Sequence, residues 1–326
     1  MGMNWLITGG CGFIGSGLIE QLRRLDQGHR IRVLDNLSTG TREDLASVAT
    51  FTEKTVSQLD TELDEVELVV GDIVDAEVAQ IATRGIDSIV HLAANTGVGP
   101  SVEDPRTDCI TNVIGTLNYL EGARINQVGR FIFASSGAPV GEVDPPIHEE
   151  IPPHPVSPYG ASKLAGEAYC SAYYRSFGID TVALRFGNVY GPGSLHKNSV
   201  VAKFIRQAMA GETLEIFGDG DQTRDYIYID DLIEALVLAS SKDDIGGEIF
   251  QIATSSETTL NELVAQLIDA LNEAGLPTPA VRKTEKRLGD VMRNFSDTSK
   301  AMRYLGWQSK TGLAQGLRQT ISYFKE

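Results

Sequence analysis

The chain has 326 residues, 42% of them hydrophobic and 22% charged, an ordinary globular composition that excludes disorder, collagen and coiled coil as descriptions of the whole. At about 150 residues per domain, this length predicts roughly two domains. The net charge of −16 repels nucleic acid and anionic membrane on average, so a phosphate-bearing ligand needs a dedicated local site. No apolar run approaches the roughly 18 residues of a membrane helix. The amino terminus enters Trp5-Leu6-Ile7-Thr8 directly, without a basic region or cleavage site, and is expected to carry no signal peptide. Cys11, Cys109 and Cys170 are odd in number and widely spaced, as reduced thiols of a cytoplasmic protein would be. The five histidines show no ligand spacing, and no metal is expected.

Strands are predicted at Trp5–Thr8, Ile31–Asp35, Leu68–Gly71, Ser88–Leu92, Phe131–Ser135 and Thr181–Arg185. Each is followed by a stretch long enough for a crossover helix. The pattern predicts an α/β fold: a Rossmann-type, doubly wound parallel sheet with helices on both faces. Continuous apolar runs such as Phe131-Ile132-Phe133-Ala134 suit strands buried on both sides. One helix starts at Asp104-Pro105 and runs to about Asn126; another starts at Ser157-Pro158 and runs to about Ser176. Both open with a capping side chain followed by proline in the first turn. Beyond Arg185, Gly/Pro segments and shorter helices (Ser199–Met209, Asp230–Ala239, Leu260–Ala274, Thr311–Phe324) predict a smaller mixed domain. The expected division is residues 1–180 and 181–326, with about 226–250 crossing back to the first.

The first strand runs into Gly9, Gly12 and Gly15, spaced Gly-x-x-Gly-x-x-Gly. Glycines there permit a tight turn, close approach of backbone to a pyrophosphate and close helix–strand packing, while the helix amino end favours negative charge. Asp35 ends the second strand twenty residues after Gly15, where a carboxylate accepts from both ribose hydroxyls of NAD and disfavours a 2′-phosphate. Strand, glycines and acid together predict an NAD site; Asp72 and Ile73 after the third strand are candidates to flank the adenine. Tyr159 and Lys163 stand four apart, on one helix face. Tyrosine is a weak base at its usual pKa of about 10. A nearby ammonium, a cationic nicotinamide and the helix amino end all favour phenolate, so the pair is expected to act as acid–base catalyst.

These segments, with DNLSTG (35–40), GDIVD (71–75), HLAA (91–94), SVEDP (101–105), SPYGASKLAGE (157–167), LRFGNVYGPG (184–193), GDGDQTRDYIYIDDL (218–232) and RLGD (287–290), run in one order over almost the entire chain. The sequence resembles the extended short-chain dehydrogenase/reductase family, in its nucleotide-sugar epimerase/dehydratase group. The resemblance implies a UDP-sugar substrate and NAD held by Gly9, Gly12, Phe13, Ile14, Gly15, Asp35, Asn36, Ser38, Thr39, Gly40, Asp72, Ile73, Leu92, Ala93, Ala94, Asn112, Tyr159 and Lys163. Ser136 is implied to bond the sugar 4-hydroxyl, Tyr159 to be the base, and Lys163 to hold the nicotinamide ribose while lowering the tyrosine pKa. Asn188, Arg224 and Arg287 are implied at the diphosphate, Phe217 beside the uracil, Asp290 near its ribose and Asn294 beside the carbon 2 substituent. It also implies a homodimer through a four-helix bundle of the Pro105 and Pro158 helices.

Departures from the family pattern narrow the chemistry. Dehydratases of this group carry Asp-Glu after the catalytic hydroxyl residue, and decarboxylases carry a glutamate in that turn; here stand Gly137 and Ala138, which cannot move protons. Pro139-Val140 replaces the usual Val-Tyr beside the sugar. The expected activity is NAD-dependent epimerisation of a UDP-hexose at carbon 4. The rivals are a decarboxylase or 4,6-dehydratase using other residues, and a catalytically silent NAD-binding regulatory protein.

Overall fold

A computed structural model describes residues 2–25, 27–195, 199–285 and 292–325. Eight strands form the main sheet: β1 (Asn4–Thr8), β2 (Arg30–Asp35), β3 (Thr52–Lys54), β4 (Val66–Val70), β5 (Ser88–His91), β6 (Arg130–Ser136), β7 (Asp180–Phe186) and β8 (Glu248–Ile252). Their order is β8-β7-β6-β5-β1-β2-β4-β3. The pairs β1–β2, β1–β5, β2–β4, β3–β4 and β5–β6 are parallel. Every residue of β5 and nearly every residue of β2, β4 and β6 is buried, as strands covered on both faces require. Their side chains join a core built on Leu6, Leu34, Val69, Ile89, Tyr119, Phe131 and Phe133. Each expected strand of the first half is present; β3 was not foreseen, because three polar residues at a sheet edge carry no apolar pattern.

Chain order reverses at β1: β2 lies on one side and β5 on the other. The loops leaving β1 and β5 diverge there, opening the crevice in which doubly wound sheets hold ligands. Both long helices start as the sequence predicts. Asp104 accepts from Thr107 N at 3.0 Å, with Pro105 in the first turn; Ser157 Oγ accepts from Gly160 N at 3.1 Å, with Pro158 behind it. The Pro158 helix runs Pro158–Phe177 and stops at Gly178, whose φ of +71° is left-handed. The Pro105 helix is not uniform: Pro105–Cys109 and Gly115–Ile125 are α, and Ile110–Ile114 between them forms a π turn. A short helix, Val98–Glu103, precedes it.

The chain divides into two compact units. The first holds the chain up to Glu142, Glu149–Arg185 and Ile233–Phe250; the second holds Val143–His148, Phe186–Leu232 and the chain from Gln251 onward. In the second unit, strand Asn188–Tyr190 pairs in parallel with Tyr226–Tyr228, and Leu214–Phe217 with Val281–Thr284. Helix Leu260–Glu273 is fixed by a capping box between Thr259 and Glu262. Among the described residues, no helix is long and apolar enough to cross a membrane.

Candidate active site

The glycine loop follows β1, and helix α1 (Phe13–Arg24) rises from it with Gly12 as N-cap and no side chain capping that end. Gly9 adopts φ +70°, and a Cβ there would lie 2.8 Å from Ala93 N. A Cβ on Gly15 would lie 2.5 Å from Gly10 Cα. These two glycines let β1, β5 and α1 converge; Gly12 would meet nothing nearer than Gly9 O at 3.2 Å, so its bare backbone keeps the helix amino end open. Such an uncapped helix end is a cradle for a pyrophosphate.

Asp35 is buried beside this cradle. Its Oδ2 accepts from Cys11 N at 3.0 Å and its Oδ1 from Leu37 N at 2.9 Å. Burial pushes the carboxyl pKa up, and the two backbone donors pull it back. Two of its roughly four lone-pair positions are thereby used and two remain for ribose hydroxyls. Leu37 is held at φ +59° by this turn, and Gly40 lies so near Cys11 that any Cβ would strike its carbonyl. Asn36, Ser38 and Thr39 are thus exposed beside the glycine loop. Asn36 Nδ2 donates to Asp72 Oδ2 at 3.1 Å, which ties the loops after β2 and β4. Ile73 is buried, and Gly115 leaves it room. Leu92, Ala93 and Ala94 follow β5, with Ala93 N donating to Thr8 Oγ1 at 3.3 Å. The residues present fit NAD: an open helix end for the pyrophosphate and a held carboxylate for the ribose.

Asn112, an expected cofactor contact, is buried in the π turn: Nδ2 donates toward Asn95 O, Asp108 Oδ1 and Ser162 Oγ, and Oδ1 accepts from Asn95 N at 2.7 Å. The widened turn directs this side chain inward, where it fastens the loop after β5 to the Pro158 helix.

Ser136 ends β6 and accepts from Ala138 N at 3.2 Å. The turn that follows approaches the Pro158 helix closely: a Cβ on Gly160 would lie 2.6 Å from Ala138 O. Val140 is fully buried, so it packs inward. Further along the helix, a Cβ on Gly166 would overlap the Phe133 ring, and this close helix–strand packing lets Lys163 Nζ donate to Ala134 O at 2.7 Å. Nζ also stands 4.9 Å from the Phe133 ring centroid and 5.9 Å from that of Tyr159. Ser136, Tyr159 and Lys163 are therefore brought together.

Burial dominates the electrostatics of the tyrosine and the lysine. Burial pushes the Tyr159 phenol up to about 12, Ser136 offsets this in part, and Asp108 adds to it. Burial pulls Lys163 down to about 8, against the carboxylates of Asp108 and Glu167. Desolvation is the largest influence on the phenol and favours its protonated form. Glu167, one further turn along, accepts from Ser135 Oγ at 2.5 Å and from Arg185 Nε and Nη2 at 2.7 Å each. Sequence reasoning missed Glu167, although its place at Lys163 plus four put it on the Tyr159–Lys163 helix face.

In the second unit, the described candidates gather around residues 222–226. Gln222 Nε2 donates to Phe217 O at 2.9 Å, Asn188 N to Asp225 O at 2.8 Å, and Asn294 N to Thr223 Oγ1 at 3.3 Å. Arg224 is half-buried and donates to Thr223 O at 2.7 Å. Glu257 steadies the group by accepting from Thr223 Oγ1 and, in bidentate fashion, from Arg293. Arg287 and Asp290 lie outside the described residues.

A dinucleotide cradle beside a Ser–Tyr–Lys cluster defines an NAD-dependent enzyme of the short-chain dehydrogenase/reductase type. The sequence model of the NAD dependent epimerase/dehydratase family matches residues 5–253. A UDP-glucose 4-epimerase of Mycolicibacterium smegmatis is 37% identical over 99% of both chains. A dTDP-glucose 4,6-dehydratase of Streptomyces niveus is 31% identical over 99% of this chain and 93% of its own. The crystal structure of a UDP-glucose 4-epimerase from Thermotoga maritima, solved with UDP-glucose, superposes with a TM-score of 0.87, at 36% identity over 99% of both chains. This chain belongs to the NAD-dependent epimerase/dehydratase family, and its cofactor is NAD.

Proposed function

We propose that the protein epimerises a UDP-hexose at carbon 4. The observation that carries this reading is the cluster of Ser136, Tyr159 and Lys163 followed by Gly137 and Ala138. A hydroxyl, a phenol and an ammonium serve alcohol–ketone exchange, and the adjoining turn offers neither acid nor base for loss of water or carboxylate. Bound NAD supplies a reversible acceptor for hydride and a positive ring that favours the phenolate. Ser136 holds the sugar 4-hydroxyl, and Tyr159 Oη takes its proton as hydride leaves carbon 4. Lys163 holds the ribose side of the site and compensates the phenolate charge. After the 4-keto sugar presents its other face, Tyr159 returns the proton to the oxygen as hydride returns to carbon 4, so the overall reaction is redox-neutral. Arg224 and Arg287 bind the diphosphate, for which guanidinium forks are suited. Asn188 lies at the diphosphate as well, Phe217 beside the uracil and Asp290 near its ribose. Three unpaired cysteines accord with action in the cytoplasm.

Substrate size follows from Asn294. It stands four residues after Asp290, where a tyrosine would fill the space beside carbon 2 and an asparagine leaves room for an N-acetyl group. Proton NMR of UDP-sugars incubated with the enzyme is expected to show UDP-N-acetylglucosamine and its galacto epimer interconverting, with UDP-glucose accepted as well. Asn294→Tyr blocks the N-acetylated pair and spares UDP-glucose. Equal loss of both classes removes Asn294 from the selection, and a deoxy-keto sugar or release of carbon dioxide instead of a 4-epimer sinks the epimerase reading.

The same reading includes a homodimer. Ile110 and Ile114 on the Pro105 helix, and Tyr169 and Phe177 on the Pro158 helix, are exposed apolar side chains on the two helices that would form a four-helix bundle across a twofold axis. Light scattering during gel filtration at micromolar concentration is expected to give twice the chain mass; a monomer mass refutes the pairing.

A further inference from the structure

Lys163 is 4% exposed, and no carboxylate among the described residues lies within ion-pair distance of it. Its one hydrogen bond goes to the neutral Ala134 carbonyl. Burying an ammonium costs several kcal/mol unless opposite charge compensates it. Two carboxylates act on it, Glu167 and Asp108. Glu167 is already neutralised by the bidentate guanidinium of Arg185. Asp108 is not. It is 1% exposed; its Oδ1 takes the neutral amide of Asn112 at 3.0 Å, and its Oδ2 has no donor among the described residues. The buried charges thus resolve into a closed pair, Glu167 with Arg185, and two open ones, Lys163 and Asp108.

Hydrogen bonds tie Asp108 to the helix turn that carries Lys163. Asn112 Nδ2 joins Asp108 to Ser162 Oγ at 3.1 Å, and Ser162 Oγ donates to Tyr159 O at 3.0 Å. The connection runs from the Pro105 helix to the helix turn between Tyr159 and Lys163. We propose that Asp108 is the counter-charge that keeps Lys163 an ammonium and, through Asn112 and Ser162, a positioning residue for the Tyr159–Lys163 pair. This rests on the assignment of that pair to acid–base catalysis.

The other groups facing the pair are accounted for. Ser136 faces the phenol from β6. Glu167 and Cys170 face Lys163 from its own helix. His91 on β5 is fully buried with its pKa pulled down to about 3, chiefly by burial, so it stays neutral. Asp108 raises the pKa of both Tyr159 and Lys163, so removing its charge lowers both.

The test is the pH profile of UDP-sugar turnover by the holoenzyme. Asp108→Asn keeps the shape and an acceptor for Asn112 while removing the charge. Its whole profile is expected to move toward acid by about one pH unit. Asp108→Glu, which retains the charge, is expected to keep the parent's pH profile at lower turnover. In lysine-labelled protein, the NMR signal lost in Lys163→Arg is expected to titrate at lower pH in Asp108→Asn than in the parent. An unmoved profile or lysine titration in Asp108→Asn, or a displaced profile in Asp108→Glu, overturns the role of Asp108. Full turnover in Tyr159→Phe would instead overturn the catalytic assignment beneath it.

Discussion

Tyr159→Phe is expected to keep the fold and the bound NAD and to lower turnover by about 100-fold or more, the scale of a lost acid–base group. The ring stays, so its packing over the Lys163 side chain survives; only the oxygen that exchanges the proton is gone. The sign of the pH dependence follows from burial. Burial pushes the phenol above its ordinary value and the positive nicotinamide ring pulls it back, so the parent's rate falls as pH drops below the phenol's pKa. The residual rate of the variant lacks that limb. Steady-state rates across pH, with bound NAD measured by absorbance, check both statements. Near-parental turnover in the variant would remove Tyr159 from the chemistry.

Glu167→Ala is expected to destabilise the protein by about 3–5 kcal/mol, because it leaves the Arg185 guanidinium buried without its partner. Both side chains are 2% exposed, so water cannot replace the lost carboxylate. Ser135 Oγ loses its acceptor in the same substitution. Glu167→Leu combined with Arg185→Met is expected to recover most of the loss, since the guanidinium is removed together with its partner. Urea unfolding of the parent, the single variant and the double variant measures this. A single-variant loss under about 1 kcal/mol would mean that the guanidinium finds another acceptor.

The sheet was legible in the sequence because strands buried on both faces write apolar runs, as in Phe131–Ala134 of β6. The starts of both long helices were legible because Asp104-Pro105 and Ser157-Pro158 each combine a cap with a first-turn proline. The π turn at Ile110–Ile114 left no periodic trace; five residues are too few to shift an apolar pattern, and what it achieves is the inward aim of one amide. Tyr159 and Lys163 were found from spacing on one helix. Asp108 was not, because its link to them crosses from another helix through Asn112 and Ser162, a connection made only in three dimensions. The upward pull of burial on the Tyr159 phenol was not legible for a related reason. Spacing shows which charges are near, whereas desolvation depends on every neighbour that excludes water. Val140, part of a departure from the family pattern, is buried in the turn after Ser136.

The first unit is assembled from three separate stretches of chain, and Ile233–Phe250 is the last of them. β8 borders β7, and Gly247 N donates to Thr181 O at 2.7 Å. A nascent polypeptide that has reached only Arg185 therefore presents β7 with a bare flank, the template on which strands from other molecules pair. The sheet closes only after the 47 residues Phe186–Leu232 have been made and the chain has turned back. Contacts between residues so distant in sequence slow folding, so synthesis of this protein passes through an interval in which its core is present and its border is unguarded.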